Sequence, residues 1–207
     1  MSSKNLLVDY IPFEISRETI NESIKNNDGR LVVKGVLQRA EAKNQNGRIY
    51  PRETLMREAE KYSSVQISER RALGELDHPD SSVVNLNNAS HNILEMHWDG
   101  DDLLGTVEVL GTPAGNILKE LFRAGIKLGI SSRGLGSVEE IHEGDGHEPV
   151  VKVQPDFELI AFDFVSNPST HGAFLSPTNE GKVGTRDGGC CHDSKVENII
   201  NDIIRGE

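Results

Sequence analysis

In the stretch KLGISSRGLGSVEE, residues 127–140, two serines follow an apolar step and precede an arginine and two glycines. Ser131 and Ser132 are candidate nucleophiles, because a serine hydroxyl beside a base can attack a carbonyl carbon. A base is available in ALGELDHPDSS, where His78 precedes Pro79. Proline holds its predecessor in extended geometry, which gives that imidazole a defined backbone. An acid partner is available in LIAFDFV, where Asp163 interrupts an apolar strand. A carboxylate there is costly unless it is paired or hydrogen-bonded. Serine, histidine and aspartate together fit the acyl-transfer triad. Each also has a plain structural explanation: a loop serine, a solvent-facing histidine, an aspartate on an edge strand. The stretch lacks the G-x-S-x-G elbow. SSRGLGS also invites reading as a phosphate cradle, but it has neither Walker spacing nor the dinucleotide fingerprint.

The elements that must hold these residues are readable in outline. SRETINESIKNN is a short helix opened by Ser16, and GRLVVKGVLQRAEA is a strand. Asn46-Gly47 marks a turn and Pro51 opens a helix with Leu55, Met56 and Ala59 on one side. HNILEMHWDGDDLLGTVEVLG reads as a hairpin turning at Asp99-Gly100. Pro113 starts a helix with Ile117, Leu118, Leu121 and Phe122 at helical spacing. The serine stretch follows at what reads as a strand end. In FELIAFDFVSNPS, period-two alternation puts Asp163 on one face with Phe157, Leu159, Ala161 and Val165. Hairpins interleaved with helices predict an α+β fold with a mostly antiparallel sheet or barrel. The protein domain is expected over residues 1–175, a Pro/Gly-containing linker over 176–193, and an amphipathic helix over 194–207.

Composition narrows the function classes. The 207 residues include 36% hydrophobic and 27% charged, enough for a packed core and too apolar for a disordered chain. A net charge of −11 argues against a general nucleic-acid binder and against adhesion to an anionic membrane. No run approaches the ~20 apolar residues of a membrane span. The only cysteines, Cys190 and Cys191, are adjacent and near the end, where they cannot staple the fold, which suits a reducing, intracellular setting. None of the seven histidines pairs with convincing zinc spacing, so neither metal nor cofactor is expected.

GELDHP and SSRGLGS, with NGRIYP upstream, resemble the prohead core proteases of T-even-like tailed phages over roughly residues 30–175. The resemblance implies a fold like the herpesvirus assembly proteases, an antiparallel β-barrel-like core flanked by helices. It implies a serine endopeptidase that cuts scaffold, core and major capsid proteins inside the prohead, in the host cytoplasm, after glutamate with an apolar residue two positions earlier. It places the catalytic roles on His78, Ser131 and Asp163. Backbone N–H groups near Arg133 and Gly134 are expected as oxyanion donors, with Gly134 supplying an unusual φ. The expected partners are those substrates and other copies of the chain, with no membrane and no direct nucleic acid. A non-catalytic shell or tube subunit of the same fold is the alternative.

Overall fold

The computed structural model describes residues 4–13, 15–77, 79, 81–141 and 150–166. His78, the linker at 176–193, the helix expected over 194–207 and the Cys190-Cys191 pair lie outside the described residues.

The chain begins with a strand, β1 (Asn5–Phe13), where composition shows only a mixed segment. Helix α1 (Arg17–Asn26) follows, capped by the Ser16 hydroxyl, which accepts from the Thr19 amide at 3.1 Å. Next come β2 (Leu31–Arg39), the short β3 (Arg48–Ile49) and α2 (Arg52–Tyr62), directly after Pro51. A single π-helical turn over Ser63–Ile67 leads to β4 (Leu73–Glu75). The hairpin is β5 (Ala89–Asp99) and β6 (Asp102–Val109), with Gly100 at φ 58 in the turn. Helix α3 (Pro113–Arg123) is capped by Thr112 and opened by Pro113. Four strands complete the fold: β7 (Leu128–Gly136), β8 (Val138–Ile141), β9 (Val150–Val153) and β10 (Glu158–Ser166).

Among the described residues the strands form three sheets, ordered β1-β7-β10, β2-β6-β5-β4 and β3-β9-β8. Pairing is antiparallel except between β3 and β9. The two larger sheets meet where Leu76, just past β4, bridges Phe164 of β10. The expected antiparallel α+β class is therefore present, but among the described residues the strands do not close into a barrel. On its outer side β1 carries Pro12, which has no N–H to give. The Val8 carbonyl is taken by the side chains of Asn46 and Arg48 rather than by a strand.

One core lies between the sheets and α1 and α3, built from Phe13, Leu31, Val33, Ile93, Leu118, Phe122, Ile130 and Phe164 among others. Phe164 meets Phe13, Phe122 and His91 edge-on. A second cluster joins Leu7, Tyr50, Leu55, Val153 and Phe157. Two helical stripes come out narrower than their spacing predicts. Met56 is 42% exposed and Ile117 55%; the large apolar residues these helices bury are Leu55 and Tyr62 in α2 and Leu118 and Phe122 in α3.

Candidate active site

Ser131 does not end a strand. It sits within β7, the central strand of its sheet, opposite Tyr10 of β1 on one side and Asp163 of β10 on the other. Adjacent residues of a strand face opposite ways, so the two serines part company. The Ser132 hydroxyl points inward and accepts from Gln38 Nε2 at 2.7 Å. Beside it, Asp9 accepts from the Tyr50 hydroxyl, from Asn46 Nδ2 at 2.7 Å and from Arg48 at 3.1 Å. Burial, with Asp9 opposite, pushes the Tyr50 hydroxyl well above its ordinary range, so it stays a donor. Ser131 is equally buried, at 1% exposed, but its Oγ has no hydrogen-bond partner. The SSRGLGS stretch is thus interior strand, which removes the cradle reading.

On the Ser131 face lies a closed ionic cluster. Arg133, two residues along β7, donates through Nε to Asp163 Oδ2 at 2.8 Å and through Nη2 to Asp163 Oδ1 at 3.2 Å. The same Nη2 reaches Glu75 Oε1 at 3.1 Å. The Glu75 amide donates to Asp163 Oδ1 at 2.9 Å. All three side chains are fully buried. Burial pushes the Asp163 carboxyl above its ordinary range, and the Arg133 guanidinium opposes that shift. The aspartate is therefore not on a solvated edge; its cost is met by a bidentate arginine.

The face-sharing expected for β10 holds only in part. A bulge between Leu159 and Ala161 shifts the register, so Leu159 opposes Gly134 while Ala161 and Asp163 oppose Arg133 and Ser131. The amide of Leu159 is met by Glu58 Oε2 of α2 at 3.1 Å. Gly134 has no positive φ, contrary to the conformational reason expected for it. It is glycine because a Cβ would run into the Phe157 ring and the Glu158 carbonyl. Arg133 and Gly134 lie in ladders to β1 and β10 on either side, and the Arg133 side chain supports Asp163.

Both sides of residue 78 are tied to this cluster. The Asp77 amide donates to the Phe164 carbonyl at 2.8 Å, and Asp77 turns with φ 65. Beyond, the Ser81 carbonyl accepts from Arg133 Nη1 at 2.6 Å, and the Asn85 amide donates to Glu75 Oε1 at 2.9 Å. Of the described histidines, His91 is bonded at both nitrogens, to Ser90 Oγ and the Phe162 carbonyl, and His97 lies at an exposed position of β5. Neither offers a buried free nitrogen. Glu75 was not singled out by sequence reasoning. Its signal was an acidic residue set between apolar neighbours in ALGEL, the same anomaly that marked Asp163.

Ser131, buried and without a hydrogen-bond partner, stands beside the carboxylate–arginine cluster, and comparison with known proteins gives the class of this protein. The family model of the prohead core protein serine proteases matches residues 7–183, and the chain belongs to that family. It is a serine protease of phage capsid assembly. The prohead core protein protease of Enterobacteria phage T4 is 32% identical over 174 residues, covering 83% of this chain and 78% of the relative. The solved structure of the bacteriophage T4 capsid assembly protease aligns with TM-score 0.68 at 27% identity, over 81% of this chain and all of that one. The alternative of a non-catalytic shell or tube subunit gives way to this membership. Among the described residues no helix is long and apolar enough to cross a membrane.

Proposed function

We propose that the chain matures the prohead by cutting scaffold or core proteins and the major capsid protein, with Ser131 as nucleophile, His78 as base and Asp163 as acid partner. The observation that carries this is the buried, unpartnered Ser131 hydroxyl directly across the ladder from Asp163. The anchoring of Asp77 on Phe164 and of Ser81 on Arg133 supports His78, since consecutive Cα atoms are only ~3.8 Å apart. In this scheme His78 takes the Ser131 proton as Oγ attacks the scissile carbonyl, then passes it to the leaving amine. The Asp163 carboxylate stabilises the imidazolium formed in between.

Ser131 is buried, so a peptide needs a way in to its hydroxyl. A groove of about 560 Å³ between β1 and β2 is walled by Tyr10 and Phe13 on one side and by Gly35 and Gln38 on the other. Tyr10 of this groove is also the residue opposite Ser131 across the ladder. Kinship with the herpesvirus assembly proteases, action within the prohead in the host cytoplasm, and self-association belong to the same proposal.

The test is incubation of the purified protein with the core and capsid proteins of its phage. Wild type should cut both, and Ser131→Ala neither. A serine-directed fluorophosphonate should label wild type and not the variant. Retained cleavage by Ser131→Ala would remove Ser131 from the mechanism.

A further inference from the structure

We propose that the gap between β1 and β2 binds an extended segment of the substrate protein by strand addition, at a distance from the bond that is cut. The inference rests on the reading of Ser131 as nucleophile. It starts from the way the two larger sheets join. Through the Leu76–Phe164 bridge the strands run in the order β1-β7-β10-β4-β5-β6-β2, so β1 and β2 are the two ends of one run of seven. Those ends come back to meet each other. The Phe13 ring of β1 lies so close over Gly35 of β2 that a Cβ there would strike it. Yet among the described residues no backbone hydrogen bond joins β1 to β2. The groove of about 560 Å³ lies between them.

Strand edges are normally blunted, because their unpaired N–H and C=O groups recruit further strands. Here the blunting is partial. Backbone groups alternate along a strand between its two sides, so one outward group locates the rest. On β1 the Val8 carbonyl turns away from β7 and accepts from Asn46 and Arg48. On β2 the Val32 backbone turns away from β6. Ser23 Oγ accepts from its N–H at 2.9 Å and donates to its carbonyl at 2.5 Å. Steps of two from these capped positions lead to Pro12 on β1 and to Val36 on β2. Both residues line the groove. Among the described residues, neither the Pro12 carbonyl nor the Val36 N–H and carbonyl meets a group from across the gap. The two edges are thus capped at one end and open where the groove is.

Open edges facing each other fit a peptide in extended conformation. Its backbone would accept from the Val36 N–H and donate to the Val36 and Pro12 carbonyls, with alternate side chains resting on the apolar wall. Tyr10–Phe13 spans four residues of that wall, so at ~3.3 Å per residue it holds about 13 Å of strand. Position says which part of the substrate this is. The chain is a protease, so its substrates are themselves polypeptides. Only β1 separates the gap from β7, so a strand in the gap runs two strand spacings, about 10 Å, from the Ser131 rung. That is too far for the scissile bond. A second stretch of the same substrate held there raises the effective concentration of the cleavage site without entering the chemistry.

The test uses the full-length protein and two substrates: the intact core protein of its phage, and a short peptide spanning one cleavage site. Val36→Pro removes the outward N–H at an edge position, where proline is tolerated. Ala42→Trp fills the groove from the loop after β2 and leaves both strands as they are. Each variant should raise KM for the core protein about tenfold with kcat unchanged, and cleave the short peptide as wild type does. On the Ser131→Ala background, calorimetry should show the same loss in binding of uncut core protein. If Val36→Pro does not fold, Ala42→Trp decides alone. Unchanged KM for the core protein would overturn the proposal. So would equal losses on both substrates, which would put the defect at the catalytic centre. Unchanged KM with an altered sedimentation coefficient would give the gap to a second copy of the chain. Unchanged KM with faster trypsin cleavage within residues 176–207 would give it to the chain's own tail. Cleavage by Ser131→Ala would instead sink the nucleophile and the distance drawn from it, while the KM comparison still decides whether the gap binds substrate.

Discussion

Ser131 and Ser132 are neighbours with opposite obligations. The Ser132 hydroxyl is part of a satisfied buried network with Gln38, while Ser131 has its hydroxyl buried and unmet. Physical chemistry then separates their substitutions. Removing an unpartnered buried hydroxyl relieves a desolvation cost, so Ser131→Ala should abolish proteolysis while leaving stability unchanged or up to ~1 kcal/mol higher. Ser132→Ala strands the Gln38 amide and should cost about 1–2 kcal/mol, with cleavage by the folded fraction retained. Urea denaturation followed by tryptophan fluorescence, together with a peptide assay, reads both. A dead Ser132→Ala beside an active Ser131→Ala would reverse the assignment. Asp163→Asn should do more than slow turnover. It weakens the charge-assisted hydrogen bonds to Arg133, which keeps Glu75 as a partner, and should cost about 1–3 kcal/mol. Because burial raises the Asp163 carboxyl, this group favours the folded state at low pH. That contribution is lost as pH rises from ~3.8 through the raised value, and the Asn variant should lack it.

At the scale of elements, β4 is the hinge of the site. It is only three residues long, yet it pairs with β5 and, through Leu76, joins β10, so it carries Glu75 to Asp163 and the chain onward to residue 78. Gly74 makes this approach possible. A Cβ there would meet the Phe162 carbonyl and the His91 ring. Both neighbours are fixed, one as backbone and the other by two hydrogen bonds. Gly74→Ala should push β4 off β10, costing roughly 1–3 kcal/mol as overpacking does, and should lower proteolysis in the fraction that remains folded. A matched thermal melt and peptide assay would show both losses. Wild-type values in both would mean that the β4–β10 contact does not support the site. The bulge in β10 works in the same way: it turns Leu159 to the opposite face from Asp163, and Glu58 takes up the amide there.

At the scale of the whole molecule, buried His91 links the fold to pH. It is fully buried and depressed to about 4, so the native state refuses a proton that the unfolded chain accepts below about 6.5. Stability from this residue is present above pH ~6.5 and lost as pH falls towards 4, an effect of about 3 kcal/mol at most. The urea midpoint of wild type should therefore fall between pH 7 and 4 more steeply than that of His91→Gln. Equal slopes would show that His91 does not drive the acid response. The described core ends at Ser166 and the family match at residue 183. A chain ending at Gly181 keeps every described strand and should fold and cut a peptide, while entering proheads poorly if residues 194–207 dock it there. Loss of peptide cleavage on truncation would assign the tail to the catalytic domain.

What the sequence settled by itself was local chemistry and local structure. Ser16 and Pro113 mark helix starts because caps and proline act within a turn, and Asp99-Gly100 turns a hairpin because Gly100 accepts a positive φ. The strand assignment around Asp163 follows from period two, which needs no tertiary information. The pairing of distant segments was not legible. β1 went unread because Pro12 and mixed polarity mask an edge strand. Ser131 looked like a strand end, since nothing in GISSRG shows that β1 and β10 flank it on both sides. Nor does the sequence show that the Arg133 guanidinium spans Asp163 and Glu75, three residues from three strands. Only the tertiary structure decides such a cluster, because the free energy of a buried charge depends on what else is buried beside it.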